Sequence, residues 1–550
     1  MNLAMLLEMA ADGLGDRVAV GPKADGTTFE ELLTRSRRAA AWLAARGAAQ
    51  VAMVDLNSPA VPTVLFGAAF AGLPFVPVNY RIADEQLRAI LARVAPAVVI
   101  VDPPVVERIG TIDGIDVVTR PDFMAAVSDP SAPMIDHWEG SGDEVAVLLF
   151  TSGTTGEPKA AVLRHRHLVH YVITTVEFMG SDEDEAALVS VPPYHVAGIS
   201  AILTGTYGGR RLVQMAAFDP KSWVEVARDE GITQAMVVPT MLGRILDVLE
   251  EQGSTLPALR ALSYGGGRMP LTVIERAMQL LPGVDYVNAY GLTETSSTIA
   301  VLGPEDHREA FASDDPTVRA RLGSVGRPLP VVEIEIRDPD GAPVGPGVSG
   351  EIYVRGEQIS GEYLGRKPLP EGGWFATNDG GHLDEAGFLY VEGRLDDVIV
   401  RGEQIAGEYL GRSVLTEDGW FPTNDAGFLD AEGYLFLDGR LDDVIVRGAE
   451  NLSPGEIEDR LVAHPDVAEA AVVGVPDDEW GEKVVAAVVL HPGAHATEDE
   501  LRTFVRDQLR SSRTPEHIGF REELPYSETG KLLRRVLRTE LATEFAPAPG

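Results

Sequence analysis

The stretch LLFTSGTTGEPKAAV, residues Leu148–Val162, joins an apolar run to a loop of glycine and hydroxyl residues that ends in a lysine. Gly153 and Gly156 lack side chains, so the backbone can approach a bound group closely there. The polar side chains of the loop belong to Thr151, Ser152, Thr154, Thr155 and Lys159. This density of amides, hydroxyls and positive charge predicts a nest for phosphate oxygens. The loop lacks the GxxxxGK[ST] spacing of a Walker A loop, and an ordinary polar turn is the plainer alternative.

The sequence on the N-terminal side of this loop alternates between helix-like and strand-like segments. Phe29–Arg46 has apolar residues at helical spacing. Val51–Val54, Ala97–Val101 and Ala146–Phe150 are short apolar runs bounded by turn residues, which is typical of buried strands. This alternation predicts an α/β sheet.

The sequence on the C-terminal side changes character twice. Arg327–Val354 predicts strands around a DPDG turn, and therefore a small β subdomain. Residues 447–550 predict a helix, two apolar strands and a second helix, a segment with the size of a compact domain. We therefore expect an α/β fold with a large N-terminal domain at 1–354, which includes the β subdomain, and a small α+β C-terminal domain at 447–550.

Residues 355–446 are a tandem duplication, in which Arg355–Val400 recurs 46 positions later as Arg401–Val446. Roughly two thirds of the aligned positions are identical, and two copies are too few for a solenoid. Val-Arg-Gly occurs at every boundary of the copies, so slippage at a short shared coding stretch explains how one complete unit was copied. A segment of this size can hardly fold alone. The extra copy must therefore pack on the β subdomain or lie between the domains.

The composition excludes several classes of function. The formal net charge is −38 and no Lys/Arg cluster resembles the basic patch of a nucleic-acid binder, which disfavours a nucleic-acid partner. The absence of cysteine excludes disulfides, cysteine-ligated metals and a cysteine nucleophile, and it fits the cytoplasm. The longest apolar stretch, Val64–Val78, is short and contains Gly and Pro, so we expect no membrane span. The N-terminus lacks the basic region of a signal peptide.

A second motif, NAYGLTETSS, covers Asn288–Ser297. Its Tyr290 could stack on a base, Thr293 could bind a phosphate and Glu294 could hold Mg²⁺. A helix N-cap at Thr293 explains that residue equally well.

Four motifs in fixed order carry a family resemblance: TSGTTGEPK, YGLTE, the TND…GRLDD pair and the C-terminal PYSETGK. With them the whole chain resembles the adenylate-forming, or AMP-binding, enzymes of the acyl-CoA synthetase type. The resemblance implies a mobile C-terminal domain that rotates between two half-reactions. A carboxylic acid first attacks the α-phosphate of ATP to give an acyl-adenylate, and a thiol, usually that of CoA, then displaces AMP. The implied substrates and cofactors are a carboxylic acid or acyl-AMP, ATP, Mg²⁺ and CoA.

The resemblance also implies roles for individual residues. The loop residues Ser152–Lys159 would hold the β- and γ-phosphates, while Thr293 would contact phosphate and Glu294 would bind Mg²⁺. Gly265, Gly266 and Gly267 would border the adenine, with Tyr290 against its face. Lys531 would reach the α-phosphate, His195 would gate the acyl pocket, and Gly448, Ala449 and Glu450 would line the thiol tunnel. A solvated lysine and a structural histidine are the plainer alternatives for Lys531 and His195.

The duplication leaves two candidate sets for the ribose-binding Asp and Arg and for the hinge Asp. Copy 1 offers Asp379, Arg394 and Asp396, and copy 2 offers Asp425, Arg440 and Asp442. We expect copy 2 to supply them, because the hinge must adjoin the moving domain. A split site, with Asp379 from one copy and Arg440 from the other, is the alternative.

The resemblance predicts an acid–CoA ligase in which the duplicated hinge biases the two half-reactions. If Lys531 cannot be delivered, the enzyme would only convert acyl-AMP and CoA to acyl-CoA. The alternatives are an adenylation enzyme that loads a carrier protein, or a catalytically silent nucleotide-binding relative. A homodimer stays open as the oligomeric state. Thr295 stands where a Trp suggests acetate in this family, so we expect a larger acid. The chain departs from the family pattern at Ala160, Asn378, Asn424 and Ala449, where glycine is usual.

Overall fold

The computed structural model describes most of the chain. It covers residues 1–138, 140–151, 159–267, 269–338, 341–365, 372–394, 397–400, 408–409, 412–413, 421–429, 435–440, 445–447, 450–452, 454–477, 481–509, 513–525 and 532–545. At 151, 446, 450–451, 481 and 535, and at the described positions within 392–440, it covers the backbone alone. The chain forms two compact units, one made mainly of residues up to Gly393 and the other mainly of Arg394–Gly550.

The large unit contains most of the described helices. They are α1 (Ala4–Leu14), α2 (Phe29–Ala44), α3 (Ala60–Ala71), α4 (Asp84–Arg93), α5 (Val106–Ile109), α6 (Arg120–Ser128), α7 (His165–Thr175), α8 (Val196–Gly208), α9 (Pro220–Asp229), α10 (Pro239–Gln252), α11 (Leu271–Leu280), α12 (Pro304–Ala312) and α13 (Pro316–Arg319). Short 3-10 turns cover Pro103–Val105, Thr293–Thr295 and Ala320–Gly323. Helix α2 confirms the predicted helical periodicity, and a capping box between Thr28 and Glu31 begins it.

Two large sheets form the centre of this unit. Their strands are β1 (Val18–Val20), β2 (Thr27–Thr28), β3 (Gln50–Val54), β4 (Phe75–Pro77), β5 (Ala97–Val101), β6 (Ile115–Thr119), β7 (Val145–Thr151), β8 (Lys159–Arg164), β9 (Ala186–Val189), β10 (Arg211–Gln214), β11 (Gln234–Val237), β12 (Ala261–Gly265), β13 (Asp285–Leu292), β14 (Ser297–Leu302) and β15 (Arg327–Pro328). One sheet has the order β6-β5-β3-β4-β7-β8, and the other β15-β14-β13-β12-β11-β9-β10-β1-β2. Both are parallel except at their edges. The predicted α/β fold is therefore confirmed.

The β subdomain is an antiparallel sheet of β16 (Glu333–Arg337), β17 (Gly350–Arg355), β18 (Phe375–Leu383) and β19 (Leu389–Arg394), in that order. Strands β18 and β19 belong to copy 1 of the duplication. Ile359 and Leu389 of copy 1 are buried in one apolar cluster with Ile336 and Ile352. Copy 1 therefore completes the core of the β subdomain.

The pattern of β17, β18 and β19 recurs in the small unit. Strand β20 (Asp397–Val400), at the end of copy 1, forms a sheet with β23 (Phe421–Leu429) and β24 (Leu435–Arg440) of copy 2, and β21 (Glu408–Tyr409) pairs with β22 (Arg412–Ser413). Val354, directly before copy 1, pairs with Phe375, and Val400, directly before copy 2, pairs with Phe421, 46 positions later. The interruption of the register near the start of β17 recurs in β20. Both copies therefore specify the same three-stranded pattern.

The rest of the small unit confirms the predicted α+β domain. Its elements are β25 (Ile445–Arg447), β26 (Glu450–Leu452), α14 (Pro454–Val462), β27 (Val467–Asp477), β28 (Gly481–Leu490), α15 (Glu498–Gln508), β29 (His517–Phe520) and α16 (Arg534–Glu544). The strands form a sheet in the order β26-β25-β28-β27, with β29 parallel to β28. Ile457, Val472, Leu501 and Ile518 lie in its apolar core, which explains the helical and strand periodicities of this segment.

Candidate active site

The predicted phosphate loop connects two antiparallel strands at the edge of the six-stranded sheet. Phe150 of β7 pairs with Ala160 of β8, and Thr151 pairs with Lys159. Lys159 begins β8 and is partly buried. The loop residues 152–158 lie outside the described part of the chain, including five predicted to bind phosphate: Ser152, Gly153, Thr154, Thr155 and Gly156. For Thr151 the backbone alone is described.

The glycines predicted to border the adenine end strand β12. A Cβ atom at Gly265 would lie 2.3 Å from the carbonyl oxygen of Ala289 in the neighbouring strand β13. Any side chain there would therefore force the strands apart. Gly266 has φ +75°, a left-handed conformation that glycine adopts without strain. Gly266 and Gly267 are exposed, so backbone rather than side chains forms this surface.

Tyr290 and Asp379 meet in the large unit. The Tyr290 hydroxyl donates a hydrogen bond of 2.6 Å to Oδ2 of Asp379. Asp379 is buried, with 5% of its surface exposed. Its backbone N–H donates to the hydroxyl of Thr377, which in turn donates to the carbonyl of Ile352. Copy 1 thus brings its Asp against the YGLTE motif.

Asn378 explains one departure from the family pattern. Its φ is +57°, in the left-handed region. Glycine adopts this conformation most easily, and asparagine is among the few other residues that tolerate it. Asn378 therefore preserves the irregularity in strand β18 that precedes Asp379.

Glu294 lies in the 3-10 turn Thr293–Thr295, which follows strand β13. The cap position of this turn is Leu292, so the interpretation of Thr293 as an N-cap is wrong. The Thr295 hydroxyl accepts from the N–H of Leu292 at 2.9 Å and donates to the carbonyl of Ser297 at 2.7 Å. These bonds hold Glu294 in a buried position, 9% exposed. Its Oε1 accepts a hydrogen bond from the hydroxyl of Tyr363.

A segment of copy 1, Gln358–Leu364, connects this turn to strand β8, and we refer to it as the strap. The fully buried Gln358 donates through Nε2 to the carbonyl of Thr295. The N–H groups of Ser360 and Gly361 donate to the carbonyl of Glu294 at 2.9 and 3.0 Å. The strap therefore holds the Glu294 turn through backbone and side-chain contacts.

The other end of the strap is bonded to the strand that Lys159 begins. The N–H of Val162 donates to the carbonyl of Glu362, and the N–H of Leu364 donates to the carbonyl of Ala160, both at 2.9 Å. Glu362 also forms an ion pair with Arg164, 2.7 Å between Nη2 and Oε1. One strap thus ties the predicted metal ligand to the strand that follows the phosphate loop. Sequence reasoning missed it, because GEYLG occurs in both copies and has no chemical signature of its own.

His195 is exposed at the N-terminus of helix α8. Its ring lies 4.8 Å from that of Tyr194, which in turn lies 5.9 Å from the ring of Tyr80. A Cβ atom at Gly198 would lie 2.4 Å from the carbonyl oxygen of Pro192, so glycine lets the loop before His195 pack on the helix. The structure places His195 where a side chain can turn toward a ligand or solvent.

A buried pair that sequence reasoning missed supports the glycines predicted to border the adenine. The Tyr264 hydroxyl, directly before Gly265, lies 2.8 Å from Nε2 of His307. Nδ1 of His307 lies 2.8 Å from the carbonyl oxygen of Gly303. Since a carbonyl can only accept, Nδ1 carries the proton and Nε2 accepts from Tyr264. Burial lowers the pKa of His307 to about 4, and burial raises the pKa of Tyr264. The pair is neutral and fixes the end of β12 to helix α12.

The predicted residues of the small unit are described in part. In copy 2, Asp425 and Arg440 pair in the backbone register of β23 and β24. The backbone alone is described for Arg394, Asp425, Arg440 and Glu450. Asp396, Asp442, Gly448, Ala449 and Lys531 lie outside the described residues.

The side chains of this site fit a Mg²⁺ ion that is bound mainly by the phosphates of the substrate. Within the described ranges, no group of three or more His, Asp or Glu side chains could hold a metal ion. Mg²⁺ commonly binds through one or two carboxylates together with substrate phosphates. Glu294 offers such a carboxylate. No helix in the described part of the chain is long and apolar enough to cross a membrane.

Family models match both units. Residues 7–364 match the AMP-binding enzyme family, and residues 456–531 match the C-terminal domain of AMP-binding enzymes.

Individual proteins match over nearly the whole chain. The fatty acid–[acyl-carrier-protein] ligase ScoC of Streptomyces coeruleorubidus is 31% identical over 93% of this chain and 91% of its own length. The feruloyl-CoA synthase of an Amycolatopsis species is 30% identical over 93% of both chains. Among solved structures, the amide bond synthetase McbA of Marinactinospora thermotolerans superposes with a TM-score of 0.75 and 26% identity, over 98% of this chain and 99% of that one. A double mutant of the o-succinylbenzoate CoA synthetase MenE of Bacillus subtilis superposes with a TM-score of 0.73 and 26% identity, over 97% of this chain and 98% of that one.

Proposed function

Because the chain belongs to the AMP-binding enzyme family, and is an acid–thiol ligase, we propose that it joins a carboxylic acid to CoA through an acyl-adenylate. The observation that carries this proposal is the hydrogen bond between Tyr290 and Asp379. It brings the YGLTE and TND motifs together beside the buried Glu294. The acid is larger than acetate, as Thr295 suggested. The feruloyl-CoA synthase relative supports an aryl acid, and the ScoC relative supports a fatty acid.

In this mechanism the protein supplies positioning and electrostatic stabilisation rather than a nucleophile. Asp379 accepts hydrogen bonds from the ribose hydroxyls, and Tyr290 orients that carboxylate while its ring faces the adenine. The backbone at Gly265 and Gly266 leaves room for the base. Lys159 and the loop before it bind the β- and γ-phosphates, whose negative charge grows as pyrophosphate leaves. Mg²⁺, held by Glu294, supplies charge neutralisation at the phosphates when bound. Lys531 stabilises the α-phosphate during adenylation.

We propose that copy 1 supplies the ribose Asp, in contrast to the expectation from sequence. Asp379 contacts Tyr290, and copy 1 completes the core of the β subdomain. The boundary between the compact units falls at Arg394, within copy 1 and after its strands β18 and β19. We therefore assign Arg394 and Asp396 to the ribose and hinge roles, and we group copy 2 with the C-terminal domain.

The duplication adds the 46 residues of copy 2 between copy 1 and the C-terminal domain, including the strands β23 and β24. We propose that this added segment biases the two half-reactions, because Lys531 must travel with it. The two precise deletions test this idea. Removal of 401–446 joins Val400 to Arg447 and keeps copy 1, whereas removal of 355–400 joins Val354 to Arg401 and keeps copy 2. Both junctions retain Val-Arg-Gly.

The experiment measures each half-reaction separately. Pyrophosphate release with a panel of aryl and fatty acids reports adenylation, and mass spectrometry of thioester from synthetic acyl-AMP and CoA reports the second step. We expect acyl-CoA from the intact chain, and a changed ratio of the two rates when 401–446 is removed. An unchanged ratio contradicts the bias, and the absence of both products contradicts the function. A parallel reaction with phosphopantetheinylated carrier protein tests the alternative thiol, which the ScoC relative suggests.

A further inference from the structure

We propose that Tyr363 is a positioning residue for Glu294: it fixes the carboxylate in the orientation in which that carboxylate receives the magnesium–nucleotide complex. The proposal rests on the assignment of Glu294 as the magnesium ligand. It adds a residue from the duplicated segment, outside every motif that pointed to the function.

The first step in the argument is the state of Glu294 itself. Only 9% of its surface is exposed, and a buried carboxylate without partners is unfavourable. The Tyr363 hydroxyl donates to Oε1 of this carboxylate. An ionised carboxylate has about four acceptor positions on its two oxygens. The phenol occupies one of them and leaves acceptor capacity for a cation.

The second step is that Tyr363 is fixed independently of its bond to Glu294. Its backbone forms an antiparallel bridge with Ala161 of strand β8. The next residue, Leu364, donates its N–H to the carbonyl of Ala160, and the preceding Glu362 forms the ion pair with Arg164. A glutamate side chain has three rotatable bonds, so a fixed donor restricts it strongly. Partners of metal ligands act in this way, and their removal typically costs about 10- to 100-fold in metal affinity.

The third step is that the chain contains a matched control. Tyr409 occupies the same GEYLG sequence in copy 2. There the backbone of Tyr409 pairs with Arg412 in the short hairpin of β21 and β22. The copies therefore share the residue and its neighbours in sequence, while the contact with Glu294 is seen for Tyr363.

The experiment compares Tyr363→Phe with Tyr409→Phe and Glu294→Gln in the full chain. Mn²⁺ serves as a paramagnetic probe, and its binding in the presence of a non-hydrolysable ATP analogue is measured by electron paramagnetic resonance. Binding of the analogue without divalent metal is measured by calorimetry, and thermal unfolding reports the fold. We expect Tyr363→Phe to weaken Mn²⁺ binding about 10-fold, with little change in metal-free binding of the analogue, and Tyr409→Phe to match the parent.

Each of the following results would overturn the proposal. Unchanged Mn²⁺ affinity in Tyr363→Phe removes the positioning role. An equal loss of metal-free analogue binding shows that Tyr363 supports the fold of the site and not the metal ligand. If Glu294→Gln leaves Mn²⁺ affinity unchanged, the assignment of the metal ligand itself fails, together with this inference. If only Glu294→Gln weakens binding, the proposed function stands and the role of Tyr363 does not.

Discussion

Replacement of Asp379 by Asn is the sharpest test of which copy of the duplication binds the nucleotide. Asp379 is 5% exposed and accepts a 2.6 Å hydrogen bond from Tyr290. Two ribose hydroxyls would also donate to this carboxylate. Asn keeps one acceptor oxygen but replaces the other with an NH₂ group. This NH₂ group is a donor, so a hydroxyl that donated to the carboxylate would face another donor. The matched change, Asp425→Asn, alters the equivalent residue of copy 2.

The expected magnitude follows from the strength of hydrogen bonds to charged groups. Such a bond contributes about 1.5–3 kcal/mol, and an unsatisfied buried donor costs a similar amount. Since about 1.4 kcal/mol corresponds to a factor of 10 in affinity, we expect Asp379→Asn to raise the KM for ATP by roughly 10- to 100-fold. Asp425→Asn is expected to leave KM within about twofold of the parent.

The assay is pyrophosphate release at saturating acid and varied ATP, with thermal unfolding of each variant as the control for folding. Tyr290→Phe serves as a companion, because it removes the hydroxyl that donates to Asp379 and keeps the ring. We expect it to raise the KM for ATP in the same direction and by a smaller factor. An effect of Asp425→Asn that equals or exceeds that of Asp379→Asn would refute the assignment of the ribose Asp to copy 1.

Two further predictions concern stability. Gly265→Ala places a Cβ atom 2.3 Å from the Ala289 carbonyl oxygen and should lower the free energy of unfolding in urea by about 2 kcal/mol or more. The control is Gly243→Ala within helix α10, where an added Cβ atom would meet nothing within 4 Å beyond its chain neighbours and the nearby backbone of the helix. This change should raise the free energy of unfolding by up to about 1 kcal/mol. A loss as large as that of Gly265→Ala would contradict the steric argument. Burial lowers the pKa values of His165, His167 and His307 to about 4. In the unfolded chain each histidine has its ordinary pKa of about 6.5 and therefore binds a proton at a higher pH than in the folded protein. The free energy of unfolding should therefore fall as the pH drops from about 6.5 toward 4, by up to about 3 kcal/mol per histidine. Stability that rises over this interval would contradict the prediction.

Much of the local structure could be predicted from the sequence. The helix of Phe29–Ala44 follows from apolar periodicity, because burial of one helix face depends on residues close together in the chain. The strands near Gln50, Ala97 and Val145 follow from short apolar runs between turn residues, which are typical of buried strands. The proposed phosphate loop could be recognised for a related reason, since phosphate recognition uses glycine, hydroxyls and lysine within a few residues. The residues that hold such motifs in place could not be predicted in this way. Tyr363 and Gln358 lie more than sixty residues from the turn that they hold, and no local pattern marks them.

The duplication separates what the sequence determines from what tertiary structure decides. Both copies determine the same strands, and their register agrees position by position. The sequence DVIVRG nevertheless occurs twice with different partners: Asp397–Val400 pairs with β23, whereas Ile445–Arg447 pairs with β26 and β28 of the C-terminal domain. A strand's backbone groups accept whichever neighbour lies alongside, so the propensity for a strand is local but the choice of partner is not. For the same reason the sequence offered two Asp residues for one ribose, and only the packing of copy 1 against the β subdomain placed Asp379 at Tyr290.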